Sequence, residues 1–230
     1  MAQSTEVTVM ASAAFKEAYL ELLPQFEQDT GNKVVTLWVP SVEMMKRLKG
    51  GEIVDLVILS AAAIDELIGC GKIARGSRVD LAKSGIGVAV RAGASRPDIS
   101  SGDTLKRALL ASKSIAYSTG PSGIHVAGLF ERMGIAAALK PKVRIVTGEP
   151  AGAVVARGEA EIGFQQVCEL LPVPGIDFVG PLPADVQKIT TFSVGLHVAA
   201  KQPEAARALV KFMTAPTAAP IIRKKGMEPA

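Results

Sequence analysis

From end to end the chain alternates between short apolar runs and longer segments whose apolar residues recur every three or four positions. The first kind suits buried strands and the second amphipathic helices, so the pattern predicts an α/β fold with mostly parallel sheet covered by helices. "VTVMAS" is the first strand, and residues 14–30 follow as a helix with Ala18, Leu22, Leu23 and Phe26 on one face, stopped by Gly31. "KVVTLWVP" is a strand, and Ser41 heads "SVEMMKRLKGG", a capped helix with Glu43 in its first turn and Lys49 near its end. "VDLVILS" and "AAIDELIGCG" repeat the pair before the strand "GIGVAVRAG".

The Gly/Ser/Pro-rich stretch "AGASRPDISSGD" then reads as a boundary where the chain leaves one lobe for another. Beyond it come the helix "DTLKRALLAS", the strand "SIAYS" and a helix opened by the elbow "STGPSG". "KVRIV", "PAGAVVARGE", "EIGFQQ" and "VCELLP" continue the alternation, and "IDFVGPLP" and "TTFSVGLHVAA" are further strands. "PEAARALVKFMTAP" is a helix with Pro203 near its start and Pro216 just past its end, and the tail "TAAPIIRKKGMEPA" is expected to pack a short helix on the first lobe.

Composition narrows what this framework does. With 48% hydrophobic but only 4% aromatic residues, the core is built from small and β-branched side chains, and 230 residues suffice for one large domain or two small ones. The net charge of +4 comes from scattered Lys and Arg, which excludes the basic stripe of a nucleic-acid binder and leaves a mild attraction for anions. No apolar run reaches the roughly 18 residues that cross a bilayer. Cys70 and Cys168 lack metal-ligand spacing and read as buried or partly buried thiols, a bridge between them being left open. No P-loop, dinucleotide fingerprint, nucleophile elbow or metal cluster occurs, so neither cofactor nor metal is expected. The opening "MAQST" carries no signal peptide and reads as an initiator Met set before a processed terminus, which points to export.

Ligands of open α/β sheets bind beyond the carboxyl ends of the strands, where helix N-termini offer free amides and partial positive charge. The small polar residues in such places are Ser12, Ser41, Ser60, the elbow at residues 118–123, "TGEPAG" at residues 147–152, and the pair Gln165 and Gln166, of which one faces the core and the other the ligand side. Each serine has a plainer alternative as a helix N-cap. His125 lies in the first turn behind the elbow, where a neutral imidazole can donate a hydrogen bond or act as a base, or can simply pack in the wall. His197, alternating with apolar neighbours, reads as structural.

Taken together, "VTVMASAAFKEAYLELLPQFEQDTGNKV", "GGEIVDLVIL", "GLFERMGI", "VARGEAEIGF" and "KQPEAARALVKFMTAP" resemble the molybdate-binding class of bacterial ABC-transporter solute-binding proteins, over essentially the whole chain. The resemblance implies a type II periplasmic-binding fold, with lobe I at residues 1–92 plus 192–230, lobe II at residues 93–191, and the ligand in the cleft between them. It also implies a periplasmic monomer that serves a membrane permease. That family holds a tetrahedral oxyanion with serine hydroxyls, backbone amides and a tyrosine hydroxyl. Here the first serine position falls on Ala14 with Ser12 two residues earlier, Val42 follows Ser41, the elbow reads "STGPSGIH", and the tyrosine position is Gln166. Amides and an imidazole suit the several acceptors of an organic carboxylate better than one compact oxyanion. The expected ligand set is therefore Ser12, Ala13 and Ser41 from the first lobe, and Ser122, Gly123, His125, Gly148 and Gln166 from the second, around a small organic carboxylate. Two alternatives stand beside simple capture of that anion. One is an enzyme similar to aconitate isomerases, a branch of the same family, with His125 carrying the proton; the other is a molybdate or tungstate binder.

Overall fold

Polar and apolar residues alternate at the start of β1 (Glu6–Ala11), which then turns wholly apolar, and Val7, Val9 and Met10 are wholly buried. Such a strand needs hydrogen-bonding neighbours on both edges and cover on both faces. In the computed structural model, which describes residues 5–230, it has both; the reading of the first four residues lies outside this range. The chain passes through α1 (Lys16–Thr30), which Gly31 ends in a left-handed conformation (φ 69°), to β2 (Lys33–Trp38), parallel to β1. It continues through α2 (Ser41–Lys49) to β3 (Leu56–Ser60), parallel to β1 on the other side. Ser41 does not cap α2: Pro40 holds the N-cap position, and no side chain caps that end. After α3 (Ala61–Gly69) comes β4 (Val79–Ser84), a strand whose mixed sequence "VDLAKS" shows no alternation to announce it.

The next strand, β5 (Ile86–Arg91), is the main departure from the sequence reading, which ended lobe I at residue 92. It pairs antiparallel with β8 (Ile162–Gln166) and β9 (Ile176–Pro181), so the chain divides into one unit of Met1–Lys83 with Thr191–Ala230 and a second of Ser84–Thr190. A strand buried on both faces looks the same whichever sheet it enters, and the Gly/Ser/Pro-rich stretch after it is a surface connection inside the second unit. That stretch ends on Ser101, whose hydroxyl and Thr104 form a capping box for α4 (Gly102–Ala111). Then follow β6 (Ile115–Ser118), α5 (Pro121–Arg132), α6 (Ala136–Leu139), β7 (Val143–Val146), α7 (Ala151–Ala156) and, after β8, α8 (Val167–Leu170). The five-stranded sheet has the order β7-β6-β8-β5-β9, with β6, β7 and β8 parallel.

The chain returns to the first unit as β10 (Thr190–Leu196), antiparallel to β3, then α9 (Pro203–Met213), α10 (Ala219–Lys224) and β11 (Glu228–Pro229). This completes a six-stranded sheet ordered β11-β4-β10-β3-β1-β2. As expected, the tail packs on its own unit: α10 lies against α1, Lys225 pairs with Glu21 at 2.7 Å, and β11 pairs with β4. Both cysteines are free thiols, Cys168 buried and Cys70 exposed rather than tucked away, because it caps the outer end of α3.

Asp55, 1% exposed at the start of β3, ties this unit together. Its carboxylate accepts from the Thr8 amide and hydroxyl and from the Gln202 amide, each at 2.8 Å, linking β1 to the start of α9. Burial alone would raise its pKa, but the donors from Thr8 and Gln202 outweigh it and hold the group below the usual aspartate value. A folded-state pKa below the unfolded one gives stability that is present above about pH 4 and is lost as pH falls through the folded value. Asp55→Ala strands several buried donors and is expected to cost about 2–4 kcal/mol, read as a lowered urea midpoint at pH 7, with the deficit shrinking below pH 4.

In the second unit, α5 folds back hard on the strand before it. A Cβ on Gly123 would stand 1.6 Å from the Ser118 carbonyl oxygen, so no other residue permits this approach. Gly123→Ala is expected to destabilise by about 1–3 kcal/mol as α5 is pushed off β6, measurable by urea denaturation.

Candidate functional site

Parallel pairing decides where the polar turns go. In the first unit Ala11 of β1 stands beside Trp38 of β2 and Ile58 of β3, so Ser12, Ser41 and Ser60 all leave the same edge of the sheet. In the second unit Tyr117 of β6 stands beside Ile145 of β7 and Phe164 of β8, so residues 118–123, 147–152 and 165–169 likewise leave one edge. Within each unit the candidate residues are therefore grouped, not scattered.

The serines are not engaged as caps. Ser12 and Ser60 occupy N-cap positions of the turn at Ala13–Phe15 and of α3, yet neither hydroxyl bonds the helix end. The Ser12 hydroxyl is buried without any hydrogen-bond partner, a state that costs about 1–3 kcal/mol. Its backbone amide is held by the Ile58 carbonyl at 3.1 Å, which fixes the residue at the end of β1 and brings Ala13 to the first position of the turn. Ser41 is half-buried at the first position of α2.

The elbow in the second unit is equally open. Gly120 is the N-cap of α5, Pro121 brings no amide hydrogen, and no side chain caps the end, so the amides of Ser122 and Gly123 find no acceptor among the helix's own side chains. Ser122 is buried, its hydroxyl 3.4 Å from that of Ser118. One turn on, the His125 Nε2 lies 2.9 Å from the Val186 carbonyl oxygen. A carbonyl only accepts, so Nε2 carries the hydrogen and, in the neutral ring, Nδ1 is the free lone pair. His197, read as structural, is buried, with Nδ1 accepting from the Ala199 amide at 3.1 Å, Nε2 without a hydrogen-bond partner, and burial lowering its pKa. Gly148 takes a left-handed conformation (φ 82°) in the exposed turn before α7.

The glutamine pair departs from expectation. Gln165 and Gln166 are both buried and both committed to the protein. Gln165 caps α7, its Oε1 accepting from the Ala151 amide at 2.8 Å, while its Nε2 donates to Glu169 at 3.0 Å. Gln166 does not present a free amide. With its nitrogen turned to the Ser84 and Gly85 carbonyls at 3.1 and 3.2 Å, its oxygen accepts from the Thr190 hydroxyl at 3.0 Å. It thus ties together the segments where the chain enters and leaves the second unit. The residue that sequence reasoning missed is Glu169: burial pushes its carboxyl up to about 7, against the bonds from Gln165 and the Gln166 backbone that pull it down. The available signal was its spacing in "QQVCEL", four residues past Gln165 and just beyond a strand end. No group of three or more His, Cys, Asp or Glu among the described residues is arranged to hold a metal ion.

Residues 7–228 match the family model described as bacterial extracellular solute-binding protein. An aconitate isomerase from Pseudomonas sp. is 41% identical over 98% of this chain and 88% of its own length. The molybdate-binding protein ModA of Azotobacter vinelandii is 28% identical over 98% of this chain and 90% of its own. A solved periplasmic molybdate-binding protein from Azotobacter vinelandii superposes with a TM-score of 0.79 at 19% identity, covering 96% of this chain and 98% of that one. Two α/β units joined by two crossings and a match along nearly the whole chain agree: this protein has the type II periplasmic-binding fold and belongs to the bacterial extracellular solute-binding protein family.

Proposed function

We propose that this protein binds a small unsaturated tricarboxylate of the aconitate type in the periplasm and moves a proton within it. The observation that carries this reading is His125: its Nε2–H is fixed on the Val186 carbonyl, which leaves Nδ1 as a base in the first turn of a helix whose leading amides are open. The 41% identity to an aconitate isomerase over 98% of the chain supports the same chemistry.

A tricarboxylate offers many acceptors spread over several ångströms. Each unit groups donors for it at one end of its sheet: the hydroxyls of Ser12 and Ser41 and the amide of Ala13 in the first, and Ser122, Gly123 and Gly148 in the second. A charge-assisted hydrogen bond contributes about 1.5–3 kcal/mol, so four or five reach the roughly 8 kcal/mol of micromolar binding. Gln166 is left out of this set because its amide is taken. In the reaction, Nδ1 of His125 removes a proton from the methylene carbon beside a carboxylate, the carbon–carbon double bond shifts by one position, and a proton returns to the far allylic carbon. Electrons and atoms balance without cofactor.

A second reading is capture alone, the same ligand being handed to a membrane permease; membership of a solute-binding family favours it. Incubation with trans-aconitate, with the cis isomer followed by chromatography, separates the two. Turnover by the unaltered protein, lowered at least 100-fold in His125→Ala while trans-aconitate still raises the melting temperature, is the expected result. Absence of any conversion leaves capture alone, and stabilisation by molybdate but not by aconitates or citrate overturns the carboxylate class.

A further inference from the structure

A base serves a reaction only as well as its ring is held. His125 is half-buried in α5, and its anchor is a backbone oxygen, the Val186 carbonyl 2.9 Å from Nε2. A ring tied to one atom keeps its direction only if that atom is itself fixed. Val186 belongs to neither helix nor strand: it lies in the connection of residues 182–189 between β9 and β10, the kind of segment that ordinarily moves. Gln187, next in the chain, holds it. A glutamine amide has two acceptor and two donor capacities, and this one spends all four on main-chain groups. Its Oε1 accepts from the Ile86 amide at 2.8 Å and the Lys188 amide at 2.9 Å, and its Nε2 donates to the Ile86 carbonyl at 3.0 Å and the Leu182 carbonyl at 3.3 Å. Ile86 opens β5 and stands opposite Gln166 at the end of β8, so these bonds fasten the connection at the sheet end from which α5 departs. On the other side of Val186, Asp185 Oδ2 accepts from the Gly102 amide at the start of α4, at 3.0 Å. Both side chains lie close over a glycine: a Cβ on Gly85 would stand 3.1 Å from Gln187 Nε2, and one on Gly102 2.6 Å from Asp185 Oδ2. Val186 itself packs on the core cluster that contains Ile86, Leu105 and Val126.

We propose that Gln187, seconded by Asp185, is a positioning residue of the isomerisation: by fixing the Val186 carbonyl it holds the His125 ring through Nε2 in the orientation in which Nδ1 takes the methylene proton. This rests on the isomerase reading above. With all four capacities taken, Gln187 has nothing left for a ligand, so its part is played through His125. A glutamine that merely secured a loop would, when replaced, lower stability and leave kcat and the imidazole ring untouched.

The test compares Gln187→Met, close in shape but without the amide, and Asp185→Ala with the unaltered protein, by steady-state conversion of trans-aconitate and by proton NMR of the imidazole N–H groups. In Gln187→Met, kcat is expected to fall at least 10-fold with KM within about twofold. The His125 ring N–H resonance, assigned by its loss in His125→Ala, is expected to vanish through exchange with water. That of His197, whose Nδ1 accepts from the Ala199 amide in the first unit, persists as the internal reference. Asp185→Ala is expected to move both readouts the same way by a smaller amount, and it decides by the same two readouts if Gln187→Met does not fold. Either readout unmoved while His125→Ala is inactive overturns the inference and leaves the isomerase reading standing; absence of turnover in the unaltered protein overturns both.

Discussion

Parallel strands followed by helices deliver every strand end to the same edge, together with backbone N–H groups that no helix residue can satisfy. In most proteins a serine or aspartate hydroxyl or carboxylate closes such an end, as Ser101 does here for α4. At the edges of interest the caps are missing: Pro40 precedes α2, Gly120 precedes α5, and Ser12 and Ser60 stand at cap positions without bonding the helix. Unsatisfied donors are a liability in a folded chain. Grouped at one edge of each sheet, they form a field that favours negative charge, and the rest of each unit, from the Asp55 clamp to the close approach of Gly123 to Ser118, serves to hold those ends in place.

The strand and helix order was legible because its signals are local. Apolar runs such as "LVILS" and "IGVAV" can be little else than buried strands, and Gly31 marks a helix end by a conformation that other residues avoid. What sequence could not reveal was which sheet such a run joins: β5 pairs with β8 and β9 through backbone groups that every residue carries, so its side chains hold no record of the choice. β4 escaped notice for the opposite reason, since "VDLAKS" is too mixed to be a strand except beside its neighbours in the sheet. For the site, the serines and the elbow announced themselves as small polar residues after apolar runs. Gln166 stood out in the same way but its role did not, and Glu169 passed unnoticed, because an amide that holds two chain segments and a carboxyl raised by burial differ from ordinary polar residues only in what surrounds them.

The glutamine at position 166 bears on the proposed departure from plain oxyanion capture. An amide that bridges Ser84, Gly85 and Thr190 is occupied by the protein. What the second unit leaves open at that end of its sheet is the leading amides of α5, which no side chain of the helix caps. One turn on, His125 is held through Nε2, so in the neutral ring Nδ1 keeps a lone pair. A compact oxyanion has no hydrogen for such an acceptor to take. A carbon acid has one, in the methylene group beside its carboxylate. The lone pair of His125 thus has a use with the organic acid proposed above that it does not have with a metal oxyanion, apart from the donors that the two ligand classes share.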